Sequence, residues 1–85
     1  MTEEEIGVVS HYFDKIGVAA VEITGGSLKL GDTIHIKGGT TDVTASVDSM
    51  QVEHDSVDSA AKGDAVGIRI GEKVREHDKV FKVTE

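Results

Sequence analysis

A chain of 85 residues makes a single domain that buries only about 60 to 65% of its unfolded surface, so no deep internal active site is expected. With 16 acidic residues against 9 basic ones and a formal net charge of -7, tight nonspecific binding to phosphate backbones is disfavoured, and with no cysteine there are neither disulfides nor thiolate metal sites. Twelve Val and seven Ile stand against two Leu and six Ala, the reverse of what helices prefer, which selects an all-β chain.

Met1 to Glu5 is acidic where a secretory leader is basic, and it is expected to fray. No apolar run approaches the roughly 18 residues of a membrane span, so the expectation is a cytoplasmic protein without a membrane partner. Ile6 to Phe13 reads as the first strand, with Ile6, Val8, Ser10 and Tyr12 on one face and Gly7, Val9, His11 and Phe13 on the other. Both faces carry apolar bulk, which suits a barrel. Asp14-Lys15 turns the chain, and Gly17 to Ile23 returns with Ala19, Val21 and Ile23 inward and Val18, Ala20 and Glu22 outward. After the Thr24 to Ser27 loop, Leu28 and Leu30 lead into a Gly31-Asp32 turn and a strand with Ile34 and Ile36 on one face. Gly31 supplies a positive φ and Asp32 a side-chain acceptor for nearby amides; Gly63-Asp64 repeats the pair before the strand Ala65 to Ile70.

Thr41 to His54 is long for one strand, and its apolar parity changes from Val43, Ala45 and Val47 to Met50 and Val52, which predicts a β-bulge near Asp48-Ser49. Asp55 to Lys62 then crosses the barrel end, Gly71 to Asp78 is a polar loop anchored by Val74, and Lys79 to Val83 closes the sheet. The predicted architecture is a small antiparallel β-barrel of six or seven strands. Its expected core is Val8, Ala19, Val21, Ile23, Ile34, Ile36, Val47, Met50, Val52, Val66, Ile68 and Val80.

Catalytic patterns fail on geometry. Ser10, His11 and Asp14 have the right chemistry for a nucleophile, base and acid, but neighbours on a regular strand point to opposite faces, and the same objection meets His54-Asp55-Ser56. The four histidines lack ligand spacing, and Asp55 to Asp58 lacks the Gly and terminal Glu of a calcium loop, so no metal site is expected. Gly26 to Gly31 resembles a phosphate loop in spacing alone, because Asp32 stands where Lys is required; neither GTP nor any other cofactor is expected. The chain is therefore read as a non-enzyme.

From Ile6 to Val83 the sequence resembles domain 2 of the translation GTPases. The matching residues are Gly17; Gly26, Leu28, Lys29, Leu30, Gly31, Asp32, Ile34 and Ile36; Met50 and Val52; and Ala60, Gly63, Asp64, Val66 and Gly67. The Ser10 to Phe13 segment, with Lys15 and Gly17 to Ala19, is most similar to freestanding elongation-factor-like proteins and to a C-terminal barrel of collagenase-like peptidases. The resemblance implies a Greek-key barrel that contacts ribosomal RNA or tRNA, with Gln51 and His54 where the tRNA carriers place an acid and a base. An amide and an imidazole there can still hydrogen-bond or stack on a base. Two functions follow as expectations: an RNA- or ribosome-binding module, or a barrel that docks a separately encoded peptidase-like or tRNA-modifying enzyme. The working surface is expected on the outer wall at His11, Tyr12, Phe13, Gln51, His54 and Arg69, with Gly17, Gly31, Asp32, Gly63, Asp64 and Gly67 shaping the turns and strands around it.

Overall fold

The computed structural model describes residues 2–53 and 55–84, and these form strands and turns with no helix. Ten strands follow in order: β1 (Thr2–Phe13), β2 (Val18–Ile23), β3 (Ser27–Lys29), β4 (Thr33–Lys37), β5 (Asp42–Ser46), β6 (Met50–Val52), β7 (Asp55–Val57), β8 (Ser59–Ala61), β9 (Ala65–Arg69) and β10 (Lys79–Thr84). Eight make one antiparallel sheet in the order β5-β4-β10-β1-β2-β9-β6-β7, while β3 and β8 form a separate ribbon. The ribbon sets Leu28 opposite Ala60 in register and lays both against the core. The fold is the all-β antiparallel barrel that the composition selects. Its strand count exceeds the expected six or seven because β3, β6, β7 and β8, each three residues long, form where the chain turns corners.

The alternating strands bury the faces expected of them: Ala19, Val21, Ile23, Ile34, Ile36, Val66, Ile68, Ile70 and Val80 are all at most 1% exposed. β1 departs from that regularity. Of the five residues expected to fray, Met1 lies outside the described residues and Thr2 to Glu5 pair with Thr84 to Phe81 of β10. The register then slips between Glu5 and Gly7 against β10, and between Val9 and His11 against β2, leaving Ile6 and Ser10 as extra residues. Ile6 and Val9 therefore enter the core, and Val8, expected there, is opposite the outward Glu22 and only half-buried. Val52 is likewise only partly buried, packed against the core.

The expected bulge at Asp48-Ser49 is a full break. Residues 47–49 leave the sheet, and the buried Val47 instead exchanges backbone hydrogen bonds with the first turn: Gly31 N donates to Val47 O at 3.0 Å and Val47 N to Asp32 O at 2.8 Å. β5 pairs with β4, whereas β6 pairs with β9, so the break carries the chain across the barrel and accounts for the change of parity.

Three turns share one construction. In Lys29 to Asp32, Ala61 to Asp64 and Arg75 to Asp78, the fourth-residue N–H donates to the first-residue carbonyl at 3.0–3.3 Å, and the Asp carboxylate accepts from the first-residue N–H at 2.8–3.0 Å. The third residue has positive φ in each: +92° at Gly31, +97° at Gly63 and +72° at His77. Each Asp is followed at once by a strand, β4, β9 or β10. The third turn was read as loop, for its Gly position holds His.

A side-chain clamp ties distant strands on the outer face. The His35 ring on β4 places Nδ1 2.8 Å from Glu3 Oε2 on β1, and Nε2 against Asp42 Oδ1 on β5. These carboxylates, Asp42 first and then Glu3, raise the His35 pKa above 6.5.

Two tests follow. His77→Gly removes left-handed strain at a β-side-chain position and should stabilise the domain by about 0.5–1 kcal/mol in urea melts, whereas Gly63→Val should destabilise it by about 1–2 kcal/mol. For His35, a raised folded-state pKa means that its contribution is full below the unfolded value and fades as pH rises through the folded one. The melting temperature should therefore fall from pH 6 to pH 8.5, and the fall should shrink in His35→Gln.

Candidate functional site

The extra residue at Ser10 decides which side chains reach the outer wall. Strict alternation from the buried Val9 would send His11 and Phe13 inward with it. The slip instead sets His11 opposite Ala20 and Phe13 opposite Val18, both outward positions of β2, while Tyr12 falls opposite the buried Ala19 and packs against the core. Ser10 Oγ donates to Ala20 O at 3.1 Å and holds the slip in place.

Outward residues of four strands then lie in rows. Ala20 is opposite His11 on one side and Gly67 on the other, and Gly67 is opposite Gln51 on β6; Val18 is opposite both Phe13 and Arg69, and Glu22 is opposite Ala65. The two middle strands thus present Ala20, Ala65 and Gly67, which are small, between larger neighbours. The result is an open apolar groove of about 300 Å³, floored by Ala20, Ala65, Val66 and Gly67 and walled by Phe13, Ile16 and Val18 on one side and Gln51 and Glu53 on the other. Phe13 and Ile16 are 45% and 63% exposed, large for apolar side chains of a small domain.

The Phe13 wall is held from behind. His11 meets the Phe13 ring edge-on with centroids 4.5 Å apart, and His11 Nδ1 is 2.8 Å from Glu76 Oε2. That chain of contacts favours one position of the Phe13 ring over the others open to an isolated surface phenylalanine.

Of the residues expected to bind, the structure brings Phe13 and Gln51 to the groove, His11 behind it and Arg69 to its end beside Val18. Tyr12 faces the core, and His54 lies outside the described residues. Ile16, Val18, Ala20 and Ala65 were not singled out. An apolar Ile16 in a hairpin turn, followed by an outward Val18 and Ala20, was the signal for them. Gly17, Gly31 and Gly63 hold positive φ in turns, Asp32 and Asp64 cap two of those turns, and Gly67 floors the groove.

Ser10 and His11 do not converge on one another. The bulge does put Ser10 and His11 on one side of the strand, but the Ser10 hydroxyl bonds a main-chain carbonyl and His11 bonds Glu76, so they do not form a nucleophile and base pair. The described residues also hold no group of three His, Asp or Glu side chains placed to share a metal ion; Glu3 and Asp42 sit at opposite nitrogens of His35. Among the described residues no helix is long and apolar enough to cross a membrane.

No family model matches the chain. Among curated proteins it is 44% identical over 82 residues to an uncharacterized protease of Methanocaldococcus jannaschii, covering 95% of this chain and 20% of that protein. It is 40% identical over 78 residues to a collagenase of Porphyromonas gingivalis, covering 91% of this chain and 22% of the collagenase. The chain thus spans about a fifth of the length of these curated relatives. A crystal structure of the C-terminal domain of a Geobacillus thermoleovorans protein assigned as a U32 peptidase superposes with a TM-score of 0.87 at 19% identity, over 95% of this chain and 93% of that domain. Its selenomethionine variant gives 0.84 over 91% and 96%. At that identity the likeness establishes the fold. The resemblance to a collagenase-like peptidase barrel agrees with these matches; the resemblance to translation-factor domain 2 is not shown by them.

Proposed function

We propose that this barrel is a non-catalytic binding module that works with a U32-type, peptidase-like catalytic domain, docking protein through the groove between Phe13 and Gln51. The observation that supports the reading is the pair of coverages: 95% of this chain matches a protease of which it represents 20%, so the matched stretch is a minor portion of a far larger protein. A solved barrel of the same fold is itself a C-terminal domain of a protein assigned to such a family. The groove supports the reading chemically, because its exposed Phe13 and Ile16 offer apolar area to a protein surface and little to a phosphate backbone. The net charge of -7 points the same way, against the RNA-binding role implied by the translation-factor resemblance.

The test fills the groove floor. A Cβ at Gly67 would stand 3.3 Å from Val18 Cγ1 and 3.9 Å from Gln51 O, so a side chain can start there with a small adjustment of Val18, and the methyls of Gly67→Val would extend from it over the groove floor. Tagged protein captured from its own host should bring down a peptidase-like catalytic chain, or crosslink to one in cis if both lie in one polypeptide. Gly67→Val should weaken that contact at least tenfold, about 1.4 kcal/mol, while its thermal melt shows a folded barrel. Gel shifts with total tRNA at two salt concentrations supply the contrary outcome: tight binding that collapses with salt would replace this reading with an RNA-binding one.

A further inference from the structure

The groove changes sign along its length. At one end Arg69 lies opposite Val18, next to the Phe13 wall; four residues along β2, Glu22 lies opposite Ala65, and Glu53 stands on the β6 side of the same end. The separation from Val18 to Glu22 is about 13 Å for a strand rising roughly 3.3 Å per residue. Among the described residues Glu22, Glu53 and Arg69 take no part in an ion pair, although Lys79 pairs with Glu5 and Lys82 with Asp32 elsewhere on the domain. Unpaired charges around an apolar floor are placed to choose a partner, since rim charges contribute to selection and encounter more than to bare affinity.

We infer that the groove takes a polypeptide segment of defined polarity: one large apolar side chain seated against Phe13 and Ile16, an acidic residue next to it facing Arg69, and a Lys or Arg about four residues away facing Glu22 and Glu53. This rests on the docking role proposed above and specifies its partner. Small residues at Ala20, Ala65 and Gly67 let such a segment lie close to the sheet, and the His11 contact keeps Phe13 upright before the segment arrives. Exchanging the two charges places like against like at both ends, which neither chain direction relieves, because the distances from the apolar anchor are what differ.

The experiment is a ¹⁵N NMR titration of the whole chain with two synthetic ten-residue peptides of identical composition. One carries Glu beside Phe and Lys four residues away, and the other has Glu and Lys exchanged. The first should shift the amides of Ala20, Ala65 and Gly67 and bind at least fivefold more tightly than the second. The double substitution Glu22→Lys, Glu53→Lys, with its spectrum showing an intact fold, should erase or invert that preference. Equal binding of both peptides in the groove, unaltered by the double substitution, overturns the charge selection and leaves the docking role standing on its capture test. Shifts confined to another face of the barrel, or none at millimolar peptide, also overturn the inference; the docking role itself falls if Gly67→Val leaves partner capture unchanged or if tRNA binds tightly and salt-sensitively.

Discussion

One inserted residue governs the outer surface of this domain. Ser10 has no partner in the ladder between β1 and β2, and its presence moves His11 and Phe13 from the inward parity of Val9 to the outward parity opposite Ala20 and Val18. A second insertion at Ile6 acts on the other side of the same strand, where β1 meets β10. On the β2 side of the strand Gly7 is required by closeness, for a Cβ would stand 2.4 Å from the Glu22 carbonyl oxygen. Each bulge forfeits ladder hydrogen bonding of about 1 kcal/mol. Burial of Ile6 and of Val9, at about 1.5–3 kcal/mol each, exceeds that loss. The strand can therefore satisfy the core and still turn an aromatic wall outward.

Legibility in the sequence follows the strength of local signals. β2, β4 and β9 alternate cleanly, with polar or small outward residues, and their buried faces could be named from pattern alone. In β1 the run Val8-Val9 is apolar on both parities, so either register buries a valine and the sequence cannot choose between them. The choice is made by pairing with two neighbours at once, information that lies in β2 and β10. The long stretch after Thr41 announced an irregularity through its change of parity, but a bulge and a break leave the same trace; the hydrogen bonds of Val47 to the first turn distinguish them. Gly31-Asp32 and Gly63-Asp64 were readable because Gly marks positive φ. His77 does the same work without that mark, and its turn was visible only in the Asp78 that follows.

The candidate site was legible in part for the same reason. Polar and aromatic residues draw notice as candidate binding groups, and His11, Phe13, Gln51 and Arg69 all lie at or beside the groove. Tyr12 was misplaced by the undetected slip. The floor was missed altogether, since a groove is defined by what is small and absent. Its walls come from the hairpin turn and from β6, elements far apart in sequence that meet only through the shared neighbours β2 and β9.

Two glycines separate what the fold needs from what the surface uses. Gly7 admits no side chain, because the obstacle is backbone of a paired strand and cannot move. Gly67 is different: the nearest atom to an added Cβ is the terminal methyl of Val18 at 3.3 Å, on a half-buried side chain able to yield by a few tenths of an ångström. Glycine inside a strand is nonetheless unfavourable by about 0.5–1 kcal/mol relative to alanine, and it leaves a neighbour-facing position unpacked. In the middle of β9 the approach of Val18 to 3.3 Å already makes one added carbon tight. Directly between Ala20 and Gln51, the bare backbone also keeps the groove deep, so Gly67 serves the packing of Val18 and the shape of the outer wall together.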